Sequence, residues 1–199
     1  MKKITTGLLA LAAVALAASA QAQAIPVSPF SVEVRGGLAF PTGDLEDVAE
    51  SGITVGANGT YMFTPQLGLY AGFTYNAFGL VDEAEELGID GSINTYGFDA
   101  GVKAMFPSPT LPVTPFLKGG LVYHKVELDI DDLELGDDDD SDFGLGFEVG
   151  GGVMVPLGPR LSFTPAVSYT SFKPSYEGDD EDDDSITSFR VDVGLNIRF

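Results

Sequence analysis

Cysteine and tryptophan are both missing from the 199 residues, and cations are scarce: ten Lys and Arg stand against thirty Asp and Glu, with a single His. Without cysteine there is no disulfide framework and no thiol nucleophile. A formal charge of -20 leaves too little Lys and Arg to neutralise a phosphate backbone, which excludes nucleic acid as a partner. After residue 24 there is also no apolar run of about 20 residues, so no transmembrane helix is predicted. Helical periodicity is equally thin. The chain is nevertheless rich in aromatics, with 14 Phe and 7 Tyr, whereas acidic disordered chains have few. Charge and apolar surface must therefore occupy different segments.

The first 24 residues follow their own logic. Lys2 and Lys3 precede a short apolar run, Leu8 to Ala18, and then "SAQAQA", which offers small-x-small cleavage after Ala22 or Ala24. This predicts a secretory signal peptide over 1–24 and one domain over 25–199.

Beyond the leader, what recurs is alternation with a period of two, the signature of a strand with two unlike faces. It recurs eight times, in segments of about 10 to 13 residues. In the last, "TSFRVDVGLNIRF", Phe189, Val191, Val193, Leu195, Ile197 and Phe199 oppose Arg190, Asp192, Asn196 and Arg198. "FGLGFEVGGGVMV" sets Phe143, Leu145, Phe147, Val149, Val153 and Val155 against Glu148 and a series of glycines. "FLKGGLVYHKV" sets Leu117, Leu121 and Tyr123 against Lys118 and His124, and "NTYGFDAGVKAMF" sets Phe98 and Val102 against Asp99 and Lys103. "SVEVRGGLAF", "GITVGANGTYMF", "QLGLYAGFTYNAF" and "RLSFTPAVSYTSF" complete the set.

The connections alternate as well. Three are short and Pro-bearing, "TPQ", "PSPTLPV" and "PLGP"; the other four are long and acidic. Those four segments (44–50, 82–90, 127–142 and 177–184) hold 26 of the 30 acids. Short and long connections in strict succession predict an all-β, eight-stranded antiparallel up-and-down barrel with both termini on the short-turn side.

The polar face decides which kind of barrel. In a soluble carrier barrel it would meet water, and an acidic protein would spread its carboxylates over it. Here it carries Gly, Ser, Thr, Asn and a nearly balanced set of charges: Glu33, Asp99, Glu148 and Asp192 with Arg35, Lys103, Lys118, Arg160, Arg190 and Arg198, and His124 on the same parity. A balanced set suits an interior in which each charge must find a partner. Inward glycines, Gly68, Gly72, Gly146, Gly150 and Gly152, are expected to make room for the long cationic chains. The apolar face then meets lipid, and aromatics near the strand ends (Phe40, Tyr61, Phe63, Tyr75, Phe106, Phe143, Tyr169, Phe189, Phe199) suit the two interfaces. Hydrocarbon leaves no water for an open edge, so the last strand must pair with the first.

The leader, the eight alternating strands, the acidic loops and the closing "VDVGLNIRF" together resemble the small outer-membrane β-barrel family of Gram-negative-type bacteria. That family includes opacity-like surface proteins and the barrel domain of outer membrane protein A. The resemblance implies residence in the outer membrane, short periplasmic turns and four extracellular loops. It also implies contact with outer-membrane lipid and a monomer. The alternating end closed by Phe implies an assembly signal, carried by Val193, Leu195, Ile197 and Phe199, for the barrel-assembly machinery.

Functional chemistry is sparse. His124 could act as a base only beside a nucleophile and an orienting carboxylate. Relatives in architecture that trim lipid A place such a set on the outer wall, whereas His124 has inward parity, so no catalytic residue and no enzyme is expected. Eight strands leave an interior that side chains fill, although the cation-rich set leaves a small pore for ions or solutes as the alternative. The acidic runs Asp137, Asp138, Asp139, Asp140 and Asp179, Asp180, Asp182, Asp183, Asp184 would attract Ca2+ or Mg2+ weakly. They lack EF-hand spacing, and a solvated, self-repelling coat or a surface for a cationic partner are the other readings. The expectation is a non-enzymatic surface or structural barrel, with no firm cofactor or metal.

Overall fold

The computed structural model describes residues 29–43, 45, 49–79, 91–130, 142–174 and 185–199. Eight strands follow one another: β1 (Phe30–Thr42), β2 (Gly52–Met62), β3 (Leu67–Gly79), β4 (Gly91–Met105), β5 (Thr114–Ile130), β6 (Gly144–Pro156), β7 (Leu161–Phe172) and β8 (Ile186–Arg198). Each pairs antiparallel with its neighbours, and β8 closes on β1 to complete the cylinder. The closing seam is continuous over twelve register pairs, from Ser31 opposite Arg198 to Thr42 opposite Thr187. It continues past the strands, where the Phe199 N–H donates to the Phe30 carbonyl at 3.2 Å. No edge is left in the wall, which is the condition for a sheet in hydrocarbon.

Alternation translates directly into two faces. Leu145, Phe98, Leu121 and Val34 point outward and are 59–63 % exposed, while Thr74, His124, Arg190 and Asp99 point inward and are at most 2 % exposed. A soluble monomer does not carry a continuous apolar belt of this kind, so lipid must cover it. A 13-residue strand rises about 43 Å, and tilted by about 40° it still exceeds an apolar band about 25 Å tall. Rings collect toward both rims. Phe30 stacks on Phe199 at the turn side, with centroids 5.9 Å apart, and Tyr123 stacks on Phe143 at the loop side, at 4.9 Å.

Two strands run further than alternation alone suggests. β4 begins at Gly91 and β5 continues to Ile130, with Asn94 opposite Glu127 and Ser92 opposite Asp129. Glu127 and Asp129 belong to the segment read as loop, yet cross-strand pairing with β4 carries the strand through them. The predicted signal peptide lies outside the described residues, as do Asp137, Asp138, Asp139, Asp140, Asp179, Asp180, Asp182, Asp183 and Asp184.

Candidate functional site

The inside of the barrel is built in three layers. The middle layer is polar and charged. Glu148 on β6 sits at its centre: Lys118 Nζ from β5 donates to both oxygens at 3.2 and 3.0 Å, Arg190 Nη2 from β8 donates at 2.8 Å, and the Tyr70 hydroxyl from β3 donates at 2.7 Å. Asp99 on β4 is a second hub, taking Arg35 Nη2 at 3.2 Å, His124 Nε2 at 2.8 Å and the Thr74 hydroxyl. Glu33 pairs more loosely with Lys103, at 3.6 Å, and accepts from Asn58 Nδ2 at 3.3 Å. Asp192 has no cation within ion-pairing distance among the described residues. It borders a small void together with Arg35 and Lys118.

Four acids and four cations, all at most 9 % exposed, therefore balance in the lumen without any charge on His124. Balance matters because an unpaired charge buried here would cost several kcal/mol, whereas a paired and hydrogen-bonded one approaches neutrality. The pairing is dense where partners converge from several strands and thin at Asp192 and Glu33, and Glu33 Oε2 accepts no hydrogen bond among the described residues.

Apolar clusters stand toward both ends. Toward the loops, Phe78, Ile93, Val122, Val126, Phe172 and Ala39 pack together, with Leu45 and Ala49 folded in from the segment after β1. Toward the turns, Met105, Phe116 and Met154 pack with Met62 and Ala166. The boundary with the charged layer is itself bridged: Lys103 Nζ lies 4.2 Å from the centre of the Phe116 ring. The void inside the charged layer measures about 10 Å³, around the lower limit for a single water.

Of the eleven interior residues read from the sequence, Glu33, Arg35, Asp99, Lys103, Lys118, His124, Glu148, Arg190 and Asp192 are buried in this layer. Two are not. Arg160 is exposed in the turn between β6 and β7, and Arg198 is only half-buried at the turn-side rim. Both have inward parity, but parity fixes a direction and not a depth, and these two stand at the turn-side end of the strands. The glycine expectation also needs correction. A Cβ on Gly97 would come within 2.6 Å of His124 Cδ2, and one on Gly120 within 2.7 Å of the Tyr70 hydroxyl, so these glycines admit the interior rings. Gly72, Gly146, Gly150 and Gly152 lie close against their cross-strand neighbours, at Asn58, Phe172, Ser168 and Ala166, and Gly68 meets Met62, whereas a Cβ on Gly56 would come within 3.1 Å of Arg35 Nε.

Tyr70 and the two apolar layers do not stand out in the sequence. The signal is present, since Tyr70 and Phe78 share parity with Thr74 and Asn76, and Met62 with Asn58. It is hidden because an apolar residue on a mostly polar face reads as noise until facing strands supply its neighbours. His124 has Asp99 on one nitrogen and the edge of Phe172, 5.4 Å away between ring centres, against its ring. Its Nδ1 has no hydrogen-bond partner, and no hydroxyl stands there to complete a nucleophile–base–acid set among the described residues. Nor does any group of three or more potential ligands among the described residues form a metal site.

The assembly-signal residues Val193, Leu195, Ile197 and Phe199 all face outward along the β8 seam, 45–57 % exposed. No curated protein sequence matches this one. Among solved structures it is similar to Neisserial surface protein A, at 18% identity and TM-score 0.63, over 88% of this chain and 100% of that one. A major outer membrane protein of Thermus thermophilus matches at 14% identity and TM-score 0.55, over 85% and 99% of the two chains. Ail, the attachment invasion locus protein of Yersinia pestis, matches at 13% identity and TM-score 0.51, over 85% and 99%. At these identities the likeness is one of fold. The family model for the outer membrane protein beta-barrel domain matches residues 8–199, and the chain belongs to that family.

Proposed function

We propose that the protein is a non-enzymatic surface barrel of the outer membrane, whose wall anchors four acidic loops outside the cell and does not conduct. The observation that carries this reading is the lumen: a paired charged layer around a void of about 10 Å³, closed by apolar layers at both ends. Water and ions need a continuous polar path, and dry Phe and Met layers interrupt it. The non-enzymatic reading is supported by the position of His124, which is buried and inward with no nucleophile beside it among the described residues. Residues 1–24 act as the leader and the C-terminal residues Val193, Leu195, Ile197 and Phe199 as the assembly signal. The latter is supported by their position on the strand that closes the cylinder, where an unfinished seam would leave an edge in lipid. The names of two structural neighbours, a surface protein and an attachment locus protein, accord with display at the cell surface.

The test compares the mature protein with a variant in which residues 131–141 and 175–184 are replaced by short Gly/Ser linkers, both reconstituted in liposomes. Both should fold as heat-modifiable barrels, and neither should give discrete conductance steps in planar bilayers. A cationic polymer should bind the first and largely ignore the second. Regular unitary steps from the intact protein would establish a pore and end this reading.

A further inference from the structure

On the turn side, outside the Met105–Phe116–Met154 layer, the wall opens into a dish of about 560 Å³ bordered by Met62, Phe63, Pro65, Met105, Pro107 and Arg198. That size falls within the range of about 300–1,000 Å³ typical of small-molecule sites, which are mostly apolar with a few placed polar groups. The border fits this description, since its remaining residues are prolines and threonines and Arg198 is its one charge.

Arg198 has no carboxylate partner among the described residues. Its guanidinium Nη2 lies 3.8 Å from Met154 Sδ, and it donates its backbone N–H to the Arg160 carbonyl at 2.8 Å. The β7–β8 register continued by that bond puts Arg160 directly across from Arg198, on the same parity. Two like charges opposite each other in an antiparallel pair are unfavourable. Neither is relieved among the described residues, where no acid side chain lies within ion-pairing distance of Arg160 or Arg198. In a chain of thirty acids and ten bases, two of the bases stand side by side at this rim, Arg198 on the border of the dish and Arg160 next to it across the β7–β8 pair, with no counter-ion from the described residues.

We propose that this dish binds a small anionic amphiphile: a carboxylate or phosphate head between Arg198 and Arg160, and a short alkyl tail against Met62, Met105 and Phe63. Paired guanidiniums hold planar or tetrahedral oxyanions through several N–H donors. Methionine, flexible and polarisable, adapts to tails of differing shape. The charged layer cannot serve this role, because its cations are already paired and its void is too small.

The chain supplies its own reporter. Past the leader it has three methionines, Met62, Met105 and Met154, and all three lie at this end. Protein labelled with 13C at the methionine methyls, refolded in a non-ionic detergent, is titrated with octanoate, octyl phosphate and octanol. The expected result is a saturable shift of the Met62 and Met105 signals with octanoate, octyl phosphate or both, at least ten-fold weaker in Arg160→Gln/Arg198→Gln, and none with octanol. The arm that saturates identifies the head group. Arg160→Gln alone, at an exposed position, should weaken binding without touching the fold, and heat-modifiable gel mobility checks that both variants are folded. Absence of saturation with either anion, equal binding by the double variant, or an equal response to octanol would overturn the proposal.

Discussion

The middle of the lumen and its two ends are built from the same strands, at positions of the same parity, yet they solve opposite problems. In the middle, Glu148 gathers Lys118, Arg190 and Tyr70; a few residues along the same strands, Phe116 and Met154 pack in an apolar cluster. The difference teaches how a narrow barrel tolerates eight buried charges. At most 9 % exposed, these groups sit in a low local dielectric, which strengthens each pair. The pairs in turn fill space that apolar chains alone would have to pack. Each layer depends on the other.

The contrast breaks most sharply at its charged centre. Glu148→Ala leaves Lys118 and Arg190 buried together without a counter-ion, and should destabilise the barrel by about 3–5 kcal/mol in reversible urea unfolding from lipid vesicles. If the charge pairing is the cause, adding Lys118→Met to that variant, which restores three buried acids to three cations, should recover most of the loss; no recovery would mean that Glu148 acts through packing.

Phe78→Ala in the loop-side layer should cost about 3–4 kcal/mol in the same assay, because the site is 1 % exposed and loses both the transfer and the cavity contributions. Leu121→Ala on the outer wall, 60 % exposed to what would be lipid, should cost only about 1.5 kcal/mol, since acyl chains flow into the vacated space. Similar losses at Phe78 and Leu121 would mean that the end layer is not rigidly packed.

Much of the architecture is legible in the sequence alone. Alternation locates all eight strands because side-chain direction in a strand is a local property of the backbone. The concentration of acids between strands assigns long and short connections. The charged layer is legible as a set of residues but not as a network, because its partners lie far apart in sequence: Tyr70 and Glu148 are separated by 78 positions, Arg35 and Asp99 by 64. Arg160 and Arg198 escape correct placement for a related reason. Parity gives their direction, and only the register of β7 against β8 gives their height.

Composition and period determined on their own that this chain forms a closed wall with an apolar outside and a polar inside, since lipid on one face and hydrogen-bonding need on the other leave no second solution. Closure decided the rest. Which acid meets which base, how Phe and Met form dry layers across the lumen, and why two arginines come to share one rim all depend on bringing together residues from strands distant in the sequence, and no local pattern encodes that distance.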